Sequence, residues 1–303
     1  MQEKGTLSVN TENLMPIIKK WLYSDKDIFL RELVSNACDA ISKRDKLAAM
    51  SEAEAPDSYR VEIRANSTEG TLTISDNGLG MTADEVRKYI NQVAFSGAYD
   101  FIEKYESQAD GRDIIGHFGL GFYSAFMVAE KVVIQTLSYR PGAEAVRWES
   151  DGSSEYELSG GSRTAPGTDI ILYIDEDSRE FLEEPRLRSV LNKYCSFLPR
   201  PVFLCGEKEE QINDCSPLWL KKPSECSEEE YKSFYSKVFA DFTEPLFWIH
   251  LNVDYPFNLK GILYFPRLSG RMDNMQGEIK LYNNQVYVCL LYTSDAADDL
   301  TRV

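Results

Sequence analysis

Thr71-Leu-Thr-Ile-Ser-Asp-Asn-Gly-Leu-Gly-Met81 reads as a strand that runs into a glycine-rich turn. Side chains alternate across a strand, so Leu72, Ile74 and Asp76 share one face. A carboxylate that continues a buried apolar row is costly unless it has a dedicated partner, and a ligand amine is one such partner. The same spacing equally fits a strand that ends at Asp76, where the residue simply opens an Asp-Asn-Gly turn. Gly78 and Gly80 permit positive φ and let the backbone come close to a flat ring. In the later run Thr168 to Asp175, Thr168, Ile170, Leu172 and Ile174 also share one parity, so Thr168 can send its hydroxyl toward the pocket of Asp76.

Toward the N-terminus, apolar Phe29, Leu33, Ala37, Ala40 and Ile41 recur at helical spacing and predict a helix from about Asp25 to Lys46. Glu32, Asn36 and Asp39 fall within an arc of about 60° on it, beside the apolar stripe. A carboxylate there can orient or deprotonate an attacking water, and an amide oxygen can ligate Mg²⁺. A solvated helix face has the same spacing. Toward the C-terminus, Gly97, Gly111, Gly116, Gly119 and Gly121 punctuate Ser96 to Gly121, as a mobile lid or an ordinary long loop would be. Gly119-Leu-Gly121-Phe122 heads the apolar run to Val128, a helix whose free N–H groups would meet phosphate oxygens. No Gly-Lys-Ser/Thr phosphate loop occurs in the sequence.

Further strands are expected at Tyr59 to Ala65, Lys131 to Leu137, Ala145 to Ser150, Glu155 to Leu158 and Pro201 to Gly206. Thr82 and Glu85 have the spacing of a capping box. A helix is expected from roughly Glu180 to Phe197, and Glu207 to Ser216 is the linker candidate. Beyond it come a helix at Ser227 to Phe239, strands at Leu246 to Val253 and Phe257 to Phe265, and a hairpin over Ile279 to Val288 around Asn283-Asn284. Consecutive strands with helices elsewhere indicate an α+β sandwich rather than alternating βαβ units.

The 303 residues exceed the usual size of one core, and a net charge of −16 argues against nucleic acid or an anionic membrane as the main partner. Six scattered cysteines and two histidines have no zinc-site spacing. The N-terminus shows no signal peptide and no apolar segment is long enough to span a bilayer, which suits a cytoplasmic protein.

Taken in order, Phe29 to Ala40, Asp76 to Met81, Ile115 to Phe126, Pro217 to Trp219, Glu229 to Tyr235 and Ile279 to Tyr282 resemble bacterial members of the ninety-kilodalton heat-shock protein family. The resemblance covers essentially Gly5 to Val288. It implies the Bergerat ATP-binding fold shared with gyrase, MutL and histidine kinases. That fold is α+β, a two-layer α/β sandwich, and here would be followed by the start of a second α/β middle domain. The implied division is 1–212 for the ATP-binding domain with a lid at about 96–121, 213–288 for the first part of the middle domain, and 289–303 as a tail that reads as artefactual. By resemblance, Glu32 is the general base for water, Asn36 the Mg²⁺ ligand and Asp76 the acceptor for the adenine amine. Gly119, Gly121 and Phe122 belong to the triphosphate cradle, and Asp39, Gly80, Met81 and Thr168 are further pocket residues. Phe95 stands where the family usually has a lysine.

The implied activity is that of an ATP-dependent chaperone acting on unfolded or partly folded client proteins. The full-length form would be a homodimer. The family's γ-phosphate arginine and dimer contact fall beyond this chain, so 303 residues alone are expected to bind ATP and hydrolyse it very slowly. The alternatives are a non-catalytic nucleotide- and client-binding fragment and, disfavoured by the acidic charge, an ATPase of the gyrase or MutL type.

Overall fold

Helix α1, Ile28–Ala49, buries Phe29, Leu30, Leu33, Val34, Cys38 and Ile41 completely, because their helical spacing lays one stripe against a sheet. The computed structural model describes residues 25–92, 101, 115–116, 119–153, 155–253, 258–267 and 278–292. The chain divides into two bodies. Among the described residues, one comprises those up to Asn213 together with Tyr282–Tyr287; the other comprises those from Asp214 to Leu281 and from Val288 to Tyr292.

The first body is built on strands β1 (Val61–Asn66), β2 (Thr71–Asp76), β3 (Ala129–Leu137), β4 (Val146–Ser150), β5 (Glu157–Gly160), β6 (Gly167–Ile174), β7 (Val202–Cys205) and β8 (Glu209–Gln211). They form one sheet in the order β5-β4-β3-β6-β2-β1-β7-β8. Each neighbouring pair is antiparallel except β1 with β7. Leu72, Ile74 and Leu172 lie on its covered face and are at most 1% exposed. Val61, Ile63 and Leu204 join them, with α1 and α3 (Glu184–Tyr194) over this face, giving the expected two-layer α+β sandwich. The alternate residues Thr73 and Ser75 are only half-buried.

Several local expectations shift. Helix α2, Ala83–Tyr89, starts at Thr82 and carries both bonds of the expected capping box. The helix expected from Glu180 to Phe197 is instead a 3-10 turn, Glu176–Leu182, and α3. Glu183 is extended between them, and Pro185 occupies the first turn of α3, where its missing N–H is harmless. The linker candidate is partly sheet, since β8 pairs with β7. Buried Asn213 then accepts from the Val202 amide at 2.8 Å and donates to the Leu198 and Arg200 carbonyls. Gly121–Met127 is a 3-10 helix rather than an α-helix, and Phe122 to Met127 are all buried.

In the second body, α4 (Glu228–Phe239) is opened by a capping box of Ser227 and Glu230. Strands β9 (Phe247–Val253) and β10 (Leu259–Phe265) pair antiparallel, with Trp248 facing Tyr264 and Phe247 facing Phe265. Tyr231 of α4 stacks on Trp248 at 4.9 Å and donates or accepts with His250 Nδ1 at 2.6 Å. The hairpin of β11 (Glu278–Asn283) and β12 (Val286–Tyr292), whose residues Tyr282–Tyr287 group with the first body, turns at Asn284 and Gln285, both at positive φ, one residue later than expected. Strand β12 continues through Tyr292, so the strand does not stop at Val288 as the sequence had suggested. No helix among the described residues is long and apolar enough to cross a membrane.

Candidate nucleotide-binding site

Strand pairing brings Asp76 and Thr168 directly opposite each other on β2 and β6, and Thr168 opposite Thr136 on β3. The three side chains form one transverse row, and all are buried. The hydroxyls of Thr136 and Thr168 lie 3.0 Å apart. Thr136 Oγ1 also accepts from the Met81 amide at 2.9 Å, which ties the end of the glycine turn to the row. Thr136 was not singled out in the sequence. Its signal was there, since it shares parity with the buried Val132 and Ile134 of the same strand.

The turn after β2 is held on two sides. Gly78 packs so closely on α1 that a Cβ there would lie 2.5 Å from the Ala40 carbonyl carbon. Gly80 has φ +61°, and a Cβ would meet the Leu137 carbonyl oxygen at 1.8 Å. Both positions therefore need glycine for close approach, and Gly80 also for its backbone conformation. The Leu79 amide donates to Ala40 and its carbonyl accepts from Tyr139. Buried Arg44 of α1 donates to the Asn77 carbonyl at 2.7 Å and to the Glu54 carbonyl at 3.0 Å.

Asp76 accepts from the Gly78 amide at 2.8 Å. Burial pushes its carboxyl up to about 7, against the Gly78 amide and the Arg163 guanidinium, which favour the ionised form; nearby Asp169 adds to the upward push. Burial also draws the Arg44 guanidinium down, opposed by Tyr59, Asp76 and Glu54.

The polar face of α1 runs along the segment that leads into the 3-10 helix. Asp39 is buried and takes two backbone N–H groups, from Ile115 at 2.9 Å and Gly116 at 2.7 Å. A Cβ on Gly116 would fall 3.1 Å from Asn36 Oδ1, and one on Gly121 would fall 2.6 Å from Glu32 Oε2. Arg31 Nε and Nη2 donate to Glu32 Oε1 at 3.1 and 2.6 Å, so the other oxygen is the one directed to Gly121. Gly119 has φ +64°. Met81 is partly buried against the main core. Phe122 points its ring into an aromatic cluster with Tyr123, Phe126 and Trp148. Phe95 and most of the expected lid lie outside the described residues.

This sandwich, with acid and amide on the covering helix and a buried carboxylate at a strand end, has the organisation of a nucleotide-binding ATPase module. Residues 24–157 match the family described as histidine kinase-, DNA gyrase B-, and HSP90-like ATPase. Residues 207–301 match the family described as Hsp90 protein, and the chain belongs to the HSP90 family. It is 54% identical over 298 residues to the chaperone protein htpG of Bacteroides fragilis (strain 638R), an alignment covering 94% of this chain and 43% of that protein. It is 50% identical over 303 residues to the chaperone protein HtpG of Porphyromonas gingivalis, covering 95% and 44%. Against the mitochondrial heat shock protein 75 kDa of Bos taurus it is 35% identical over 291 residues, covering 94% and 41%. The chain thus spans less than half the length of these curated relatives.

Proposed function

We propose that the first body binds ATP with Mg²⁺ and serves an ATP-dependent chaperone. The observation that carries this reading is the row Asp76, Thr168, Thr136 on the sheet that α1 covers, with Glu32, Asn36 and Asp39 along that helix. Asp76 receives the adenine amine, with Thr168 beside it and Gly80 and Met81 along the turn. Gly119, Gly121 and the Phe122 backbone take the phosphates, and Asp39 holds the approach to them through its two amide bonds. Asn36 offers a hard oxygen that suits Mg²⁺, which would neutralise phosphate charge when bound. Glu32 Oε2 sits where it can orient or deprotonate a water beside the cradle.

The longer protein would act in the cytoplasm on unfolded or partly folded clients, as a homodimer. Residues 1–303 alone would bind ATP and turn it over very slowly. Calorimetry with ATP and Mg²⁺ tests the site: Asp76→Asn is expected to weaken binding by about tenfold or more, as loss of a charge-assisted bond to the amine would. Equal affinity would sink the adenine assignment. Glu32→Ala in a full-length version should keep binding and lose turnover; persistent hydrolysis would remove Glu32 from the role of base.

A further inference from the structure

Helix α2 is seven residues long, too short to stand alone, and Val86 is its one buried side chain, so its two ends decide where it lies. Its start belongs to the base end of the pocket. The Met81 amide donates to Thr136 Oγ1 at 2.9 Å, and the Thr82 capping box opens the helix directly after it. Its far end is gripped from the phosphate end. The Tyr123 hydroxyl donates to the Ile90 carbonyl at 2.5 Å, and Trp148 Nε1 donates to Asn91 Oδ1 at 2.9 Å. Tyr123 follows Gly121 and Phe122 in the 3-10 helix, and buried Trp148 packs edge-on against the Phe122 ring at 5.7 Å. Gly121 in turn lies against Glu32 Oε2. About 10 Å of helix therefore connects the two ends. The Asn91 amide shows that the grip is more than packing. An indole N–H only donates, so Oδ1 must face Trp148 and Nδ2 must face away. Among the described residues, Nδ2 is buried and meets no acceptor. An orphaned donor is destabilising where an apolar side chain of similar size would not be, so the bond to Trp148 is kept at a cost in stability.

We propose that Tyr123, Trp148 and Asn91 are positioning residues for the triphosphate: through α2 they fix the separation between the turn that takes the base and the cradle that takes the phosphates. This rests on the reading of Gly119, Gly121 and Phe122 as that cradle. The row Asp76, Thr168, Thr136 is held by strand pairing, independently of the far end of α2. Loss of either aromatic hydrogen bond frees that far end and leaves the row in place. The consequence is a split between ligands. Adenosine occupies the base end alone and is indifferent to the separation. ATP must satisfy both ends at once, and a misplacement of about 1 Å removes much of what a preorganised site contributes.

The experiment is calorimetric titration of the 303-residue chain with ATP and Mg²⁺ and, separately, with adenosine, for wild type, Tyr123→Phe, Trp148→Phe and Asn91→Leu. Wild type is expected to bind ATP more tightly than adenosine. Each variant is expected to lower the ATP-to-adenosine affinity ratio by about three- to tenfold, the worth of one buried hydrogen bond, and to leave adenosine affinity within about twofold of wild type. Trp148→Phe keeps an aromatic ring against Phe122 and so tests the N–H itself. The double variant Asn91→Leu with Trp148→Phe removes both partners of one bond, and its ratio is expected to fall no further than that of either single variant. A purely structural role would weaken both ligands alike. A wild-type ratio in folded Trp148→Phe and Asn91→Leu therefore overturns the proposal, and so does an additive loss in the double variant. Tyr123→Phe leaves the buried Ile90 carbonyl without its donor; if circular dichroism shows it unfolded, the Asn91 and Trp148 variants carry the test with the same outcomes. Failure of the cradle reading is distinguishable, because wild type would then bind ATP no more tightly than adenosine, and the proposal would fall with it.

Discussion

The strand pairs β2–β6 and β9–β10 obey the same alternation and end in opposite surroundings. In the first pair, Leu72, Ile74 and Leu172 are sealed under helices. In the second, the aromatic residues of α4 cover the side carrying Trp248 and Tyr264, through the Tyr231–Trp248 stack and the Tyr235–Tyr264 contact. The opposite side carries Phe247 stacked on Phe265, with Ile249 and Leu263 next along, and among the described residues these four remain 39–50% exposed. Alternation thus decides which side chains share a face, and says nothing about whether that face is covered. The polar exception follows the same division. Asp76 is expensive because its row is sealed, and the surrounding amide and guanidinium groups exist in the structure to offset that.

The largest expected effect contrasts the two cores. Leu72→Ala should cost about 2–5 kcal/mol in urea denaturation, since the site is sealed and a cavity remains. Next in size is a pH effect confined to the first body. Burial raises the Asp76 carboxyl from its ordinary value of 3.8 to about 7, so its contribution to stability is fully present below the lower value and is lost as pH rises through the upper one. Relative to Asp76→Asn, wild type should therefore lose on the order of 2 kcal/mol between mildly acidic and mildly alkaline pH, read by local amide hydrogen exchange in β2 and β6. A flat difference would mean that Asp76 is better solvated than the geometry indicates. Smaller still, Ser227→Ala should cost about 1 kcal/mol and raise exchange in α4, because the bond from the Glu230 amide to Ser227 Oγ goes with it. If exchange rose equally in α1, the two bodies would unfold as one. The smallest change is Leu263→Ala, expected within about 0.5 kcal/mol because the side chain is already half exposed. A loss as large as that of Leu72→Ala would show that this face is covered in solution, and the contrast between the pairs would collapse.

Much of the site was legible because its signals are local. Strand β2 ends at Asp76 as the alternation indicated, and the Thr82 capping box formed from its spacing. The facing of Asp76 and Thr168 also agrees with the parity of each strand. The aromatic cluster that the Phe122 ring joins could not be read from its place after Gly121, because Trp148 comes from a distant strand. Arg44 and Arg163 escaped notice because neither sits in a recognisable pattern. Their meaning depends on carbonyls 33 and 87 positions away.

By itself, the sequence determined the helical stripe of α1, the parity of each strand, the glycine positions of the turn and the capping boxes, all of which depend on residues within a few positions of one another. Tertiary structure alone decided that β6 lies between β2 and β3, aligning Asp76, Thr168 and Thr136, and that two guanidiniums close on the Asp76 turn. The reason is physical. Burial of whole faces chooses which distant strands pair, and only after that choice does a buried carboxylate acquire the charges that set its chemistry.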